Sequence, residues 1–153
     1  MNWTIQKMAS MDATTLYEII VLRFNVFIIE QACFYEEFDN KDLEATHVYG
    51  RNDKGNIIAY LRILEPGVSY EEVSIGRVVV SPEYRREGIG GDLMQMGLKA
   101  VNDLYGDVPV RISAQAYLQA FYGSFGFEAQ SEIYLEDDIP HIEMLLTPMN
   151  QKK

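Results

Sequence analysis

Polar and apolar residues alternate through Thr4-Ile5-Gln6-Lys7-Met8, the pattern of a strand with one buried face. From Asp12 the period lengthens. Leu16, Ile19, Ile20, Phe24 and Phe27 recur at helical spacing behind an aspartate suited to capping a first turn, which predicts a helix. After an acidic stretch over residues 36–44, two apolar runs at 46–49 and 57–64 flank Asn52-Asp53-Lys54-Gly55-Asn56 and predict a hairpin; a second turn falls at Glu65-Pro66-Gly67.

Residues 73–80 form the next predicted strand. Beyond a glycine cluster, Ile89, Leu93, Gly97, Ala100, Val101 and Leu104 share one side of a predicted helix that leads to a strand at 110–112. Strand, helix and strand make a βαβ unit, so these strands are expected to be parallel with a right-handed crossover and a ligand site beyond their carboxyl ends. A short helix at 117–122 and final strands at 129–135 and 141–146 complete an α+β chain with a mixed sheet. The tail Gln151-Lys152-Lys153 is expected to fray. With 153 residues, no internal repeat and no linker, residues 1–153 are expected to form a single domain.

Composition narrows the function. The formal net charge of −10, from 13 Lys plus Arg against 23 Asp plus Glu, opposes attraction to phosphate backbones and points away from nucleic acid. It weakly favours cationic partners such as amines. Cys33 is the one cysteine, so no internal disulfide or zinc spacing with His47 or His141 is available, and no metal is expected. The apolar run around residues 26–29 is far shorter than a membrane span, and Met1-Asn2-Trp3 opens neither a signal peptide nor a lipidation site; the expectation is a cytoplasmic protein with no membrane partner.

The chemistry concentrates in residues 75–97. A β-branched run is followed by Ser81-Pro82, the basic pair Arg85-Arg86, then Gly88, Gly90 and Gly91 opening a helix. Residues without Cβ let a phosphate approach the backbone, and a helix start turns unpaired N–H groups toward it. A dinucleotide loop would need glycine where Leu93 stands, and a Walker loop needs Gly-Lys followed by Ser or Thr, which the chain lacks.

Arg85-x-x-Gly88-x-Gly90 after a hydrophobic strand resembles the acyl-coenzyme A (CoA) loop of the GCN5-related N-acetyltransferases, and Phe121-Tyr122-Gly123-Ser124-Phe125-Gly126-Phe127 is similar to that family's Phe-Tyr-x-x-x-Gly-Phe segment. Residues 23–39 with Asp42, and Ile139-Pro140-His141-Ile142, resemble the ElaA-like branch. The resemblance spans essentially the whole chain. It implies a mixed sheet of about seven strands flanked by about four helices, with acyl-CoA at the loop from the fourth strand to the third helix. It also implies an acetyl-CoA-dependent N-acetyltransferase acting on a primary amine, with a small molecule as acceptor, by direct attack in a ternary complex. A catalytically idle acyl-CoA sensor and a peptide or protein N-acetyltransferase are the other readings, and a homodimer is open.

By the same resemblance, the main chain of Val78, Val79 and Val80 pairs with the pantetheine arm. Arg85, Arg86, Glu87, Gly88, Ile89, Gly90 and Gly91 surround the pyrophosphate, and Gln115 stands where many members carry an asparagine touching the arm. Tyr122 falls at the general acid; an ordinary phenol, with pKa near 10, keeps its proton at neutral pH. Ser74 stands where some histone-modifying relatives have a glutamate, which leaves Glu72, Glu30 and His141, or a water, as candidate bases. Glu30, Tyr35, Asp39, Arg77 and His141 are candidate acceptor-site residues. Arg77, a guanidinium in an apolar strand, needs a partner, and Glu30 or Asp39 is expected to supply it; Glu36-Glu37 read as a solvated face.

Overall fold

A computed structural model describes residues 1–148, so the 151–153 tail lies outside the described residues. The order is β1 (Asn2–Lys7), α1 (Ala13–Arg23), β2 (Thr46–Arg51), β3 (Ile57–Leu64), β4 (Val73–Val80), α2 (Ile89–Tyr105), β5 (Val110–Gln115), α3 (Gln119–Gly123), β6 (Glu128–Ala129), β7 (Tyr134–Glu136) and β8 (Ile139–Leu146). The strands form one mixed sheet in the order β1-β2-β3-β4-β5-β8-β6, with β7 also on β8. The expected α+β architecture is present, with eight strands and three α-helices among the described residues, so the glycine loop joins β4 to the second α-helix.

Strand alternation decides which helix covers which face. On β3, Ala59, Leu61 and Ile63 join α2's Leu93, Met94 and Ala100 in one core, while Ile57 and Tyr60 join Ile19, Leu22, Val26 and Phe27 in another. Gly97 lets α2 lie close to the sheet: a Cβ there would meet Leu61 Cδ2 at 2.8 Å. Leu104, expected on the inner side, is exposed; Met94 is buried instead.

Asp12 caps α1 as expected, its carboxylate accepting from Thr15 N at 2.7 Å. The helix does not run on regularly through Phe27. Its α form ends at Arg23 and continues as a π-helical segment, Phe24–Glu30, which leaves Phe24 exposed while Val26 and Phe27 stay buried. The strand expected at 129–135 is two short ones, each pairing with β8 in a different register: β6 opposite Met144 and Leu145, β7 opposite residues 139–141. Among the described residues no helix is long and apolar enough to cross a membrane.

One irregularity shapes the rest. β4 and β5 are parallel but pair only at Val73↔Val110 and Ser74↔Arg111, after which they diverge. On its other side β4 shifts register against β3 between Tyr60 and Arg62, with Arg77 at a positive φ of 52°. The C-terminal half of β4 and the end of β5 therefore face each other across a gap.

Candidate active site

That gap is the mouth of a cleft of about 1110 Å³, room for a long cosubstrate and an acceptor together. β4 residues 76–80 line one side, Ile112, Ser113 and Gln115 the other, with α3 contributing Phe121 and Tyr122. Strands that have parted leave main-chain N–H and C=O groups with no sheet neighbour, an edge that an extended amide-bearing chain can join.

At one end the glycine loop meets α2. Arg86 (φ 69°) and Gly88 (φ 80°) both take left-handed backbone, so the chain turns sharply into the helix. No side chain caps this N-terminus, and the first helical bond runs from Asp92 N to Gly88 O at 3.1 Å, so the amides ahead of it face outward. A Cβ on Gly88 or Gly91 would enter open space, and one on Gly90 would only touch the Phe121 ring at 3.6 Å. The result is a lined, amide-rich concavity that fits a pyrophosphate. Glu87 is exposed and Ile89 buries its side chain in the core, so these two offer main chain alone.

Arg85 is already engaged: it forks onto Glu30 at 2.8 and 2.7 Å and donates from Nε to Val80 O at 3.1 Å. Its hydrogen bonds hold the Glu30 carboxyl below the usual carboxylate range. Glu30 is consequently a poor base and is not Arg77's partner. Glu72 stands ahead of β4, outside the cleft lining, gripped by Arg111 at 3.0 and 2.8 Å and likewise held low by those bonds.

At the cleft's centre the side chains of Val78, Val79 and Val80 pack into the cores while their main chain lines the gap. Tyr122 is buried, edge-on to Phe121 (5.1 Å, 72°) and Phe127 (6.1 Å, 75°). Burial pushes its phenol above the ordinary value, so it keeps its proton and can only donate it. Gln115 Nε2 donates to Gln31 Oε1 at 3.5 Å, tying β5's end to the segment after α1.

The far wall is ionic. Arg77 pairs with Glu37 at 2.7 Å and, more loosely, with Asp39 at 3.4 Å. Behind it Arg23 pairs with Glu37 (2.5 Å) and Asp42 (2.8 Å), and Arg62 with Asp39 (2.8 Å) and Asp42 (3.0 Å). Tyr35 donates to Glu37 at 2.6 Å. Glu37 is therefore a buried hub, not part of a solvated face, because Arg23 and Arg77 surround it; Glu36 alone is exposed. Burial pushes Asp39 up, but hydrogen bonds and charge from Arg62, with help from Arg77, bring it down to about 2. Sequence reasoning missed Arg23 and Arg62 here. The available signal was Arg62, a lone charge within the otherwise apolar β3 facing an acidic loop.

Opposite that wall stand Tyr70, Ser113, Glu136 and His141, all lining the cleft. His141 lies across from Gln115 in the β5–β8 register and from Tyr134 in the β7–β8 register. Of the expected site residues, the structure thus brings Tyr35, Asp39, Arg77, Gln115, Tyr122 and His141 to one cleft with the glycine loop, and leaves Glu30 and Glu72 outside its lining.

Comparison with known proteins agrees with this fold. A family model described as an acetyltransferase (GNAT) domain matches residues 12–148. A UPF0039 protein of Schizosaccharomyces pombe is 42% identical over 138 residues, covering 90% of this chain and 91% of its own, and protein ElaA of Escherichia coli is 41% identical over 146 residues, 94% of each. The crystal structure of an acyl-CoA N-acyltransferase from Pseudomonas aeruginosa superposes with a TM-score of 0.88 at 46% identity, over 94% of this chain and 97% of that one. The E. coli ElaA structure gives 0.88 at 39% identity over the same shares. With the family model spanning residues 12–148 and these identities along nearly the whole chain, the protein belongs to the GNAT acetyltransferases, with ElaA and the UPF0039 proteins among its relatives.

Proposed function

We propose that this acetyl-CoA-dependent N-acetyltransferase moves the acetyl group onto a primary amine of a small molecule, by direct attack while both substrates occupy the cleft. The observation that carries the reading is the parting of β4 from β5 after Ser74, which opens a backbone edge leading from the glycine loop to Tyr122. Main-chain groups of residues 78–80 hold the pantetheine arm as an added strand, and the amides of residues 86–91 hold the pyrophosphate. Fixing the thioester in this way turns a bimolecular encounter into a local one. The acceptor nitrogen forms the new bond to the carbonyl carbon, the carbon–sulfur bond breaks, and Tyr122 hands its proton to the departing thiolate. A cytoplasmic setting belongs to the same proposal, supported by an ordinary soluble composition with a single cysteine.

The test is a panel of small amines, amino sugars and peptides with acetyl-CoA, followed by thiol release, for the parent and Tyr122→Phe. Turnover of a small amine that falls roughly 100-fold in the variant, with CoA affinity unchanged, is expected. Peptides outperforming every small amine would move the assignment to a peptide N-acetyltransferase. Binding of CoA without turnover of any amine would leave an acyl-CoA sensor.

A further inference from the structure

The acceptor amine is an ammonium ion at neutral pH and must lose a proton before it can attack, and the reading above names no group to take it. We infer that His141 is that general base, acting through Nε2 with the Glu136 carboxylate beside that nitrogen. The inference rests on the acetyl-transfer reading and adds the residue that prepares the nucleophile.

The tautomer is fixed by what each ring nitrogen faces. His141 Nδ1 lies 2.7 Å from Ile139 O, and a carbonyl oxygen can only accept, so Nδ1 carries the hydrogen and the neutral ring presents a bare lone pair at Nε2. That nitrogen belongs to a side chain lining the acceptor half of the cleft, with only 10% of its surface exposed. Glu136 Oε2 stands 3.5 Å from Nε2, where a neutral ring gives it nothing to accept; the carboxylate becomes an ion-pair partner only when the ring holds a second proton. Tyr134 stacks on the imidazole at 6.2 Å and 29°, keeping its plane, and is itself bonded to Ser113, which also donates to the other Glu136 oxygen at 3.2 Å. The rival carboxylates are spent elsewhere: Glu30 on Arg85, Glu72 on Arg111.

The step balances without any further reactant. One ammonium proton passes to Nε2, and the freed lone pair forms the C–N bond. As the C–S bond breaks, the thiolate takes the Tyr122 proton; the second proton, shed by the nitrogen as it becomes an amide, passes through solvent to restore the phenol, and solvent carries the imidazolium proton away. The charged or titratable neighbours that share in any pH profile are Glu136 and Tyr134 on β7, Asp137 in the turn, Tyr70 before β4, and Glu143 on β8, the last paired to Arg111.

The experiment compares two acceptors with the parent, His141→Asn and Glu136→Gln: benzylamine, an ammonium at neutral pH, and O-benzylhydroxylamine, which is already neutral there. A base needed only for deprotonation gives a loss of about 100-fold in kcat/KM for benzylamine in His141→Asn. The alkoxyamine should stay within a few-fold, and Glu136→Gln should fall between. Nitrogen NMR of the parent is expected to show the Nδ1–H tautomer. Equal losses for both acceptors, or an unchanged benzylamine rate, would overturn the assignment and leave acetyl transfer standing. No turnover of either acceptor by the parent, with acetyl-CoA still bound by calorimetry, would overturn the assignment for these amines and count against amine acetylation itself.

Discussion

Arg23 keeps 3% of its side chain exposed and Glu37 only 2%, so both charges depend on partners inside the protein. Arg23 also holds Asp42, packs over the Phe38 and Tyr60 rings at 5.3 and 5.4 Å, and takes the Glu37 main-chain oxygen at 3.1 Å. Removing it leaves buried Glu37 to Arg77 alone and Asp42 to Arg62 alone, each short of one guanidinium. Arg23→Ala is expected to lose about 3–5 kcal/mol of stability in urea unfolding, and Arg23→Lys to recover only part, because an ammonium cannot fork between two carboxylates. A loss under about 1 kcal/mol, the range of a surface pair, would show that the cluster is hydrated.

At the scale of elements, the ion cluster fastens the 31–45 segment to β3 and β4, and it does so through groups whose protons matter. Asp39 and Asp42 are both held below their ordinary value in the fold, Asp39 at about 2. A depressed carboxyl stabilises the fold above its unfolded pKa near 3.9 and loses that contribution as pH falls toward the folded value. His47 is buried between Tyr60 OH and Asp42 O, and burial lowers its pKa, so the unfolded chain takes up its proton first and stability begins to fall below about pH 6.5. Thermal midpoints are therefore expected to decline in two stages, below about 6.5 and again from about 4 toward 2, with Asp39→Asn flattening the second. A flat profile from pH 7 to 3 would contradict the cluster. Local pattern was enough for β2, β3, β4 and α2, since alternation, turn residues and helical spacing all act within a few positions. The glycine loop was legible for the same reason: a left-handed turn and an uncapped helix start are demands on neighbouring residues. Arg23, Glu37 and Arg62 were not, because a charge run looks alike whether its partners are water or guanidiniums brought from another element. The π-helical segment escaped too, since its apolar residues keep a helical rhythm.

For the molecule as a whole, the sheet's divergence converts a fold into a binding site, and the net charge sets the terms. A chain at −10 repels polyanionic CoA at long range, so affinity has to come from the amides of one helix start and one strand edge. Gly91 isolates that contribution: its backbone is helical, a Cβ there meets nothing within 4 Å, and it lines the cleft. The most direct measurement is calorimetric titration of acetyl-CoA into the parent and Gly91→Glu, with thermal midpoints of both. Binding by the parent and a loss of at least about tenfold in the variant at an unchanged midpoint are expected, because a carboxylate beside the pyrophosphate opposes it in a site of reduced dielectric. Absence of binding in the parent, or equal affinity in the two proteins, would contradict the placement of acyl-CoA between β4, β5 and the start of α2.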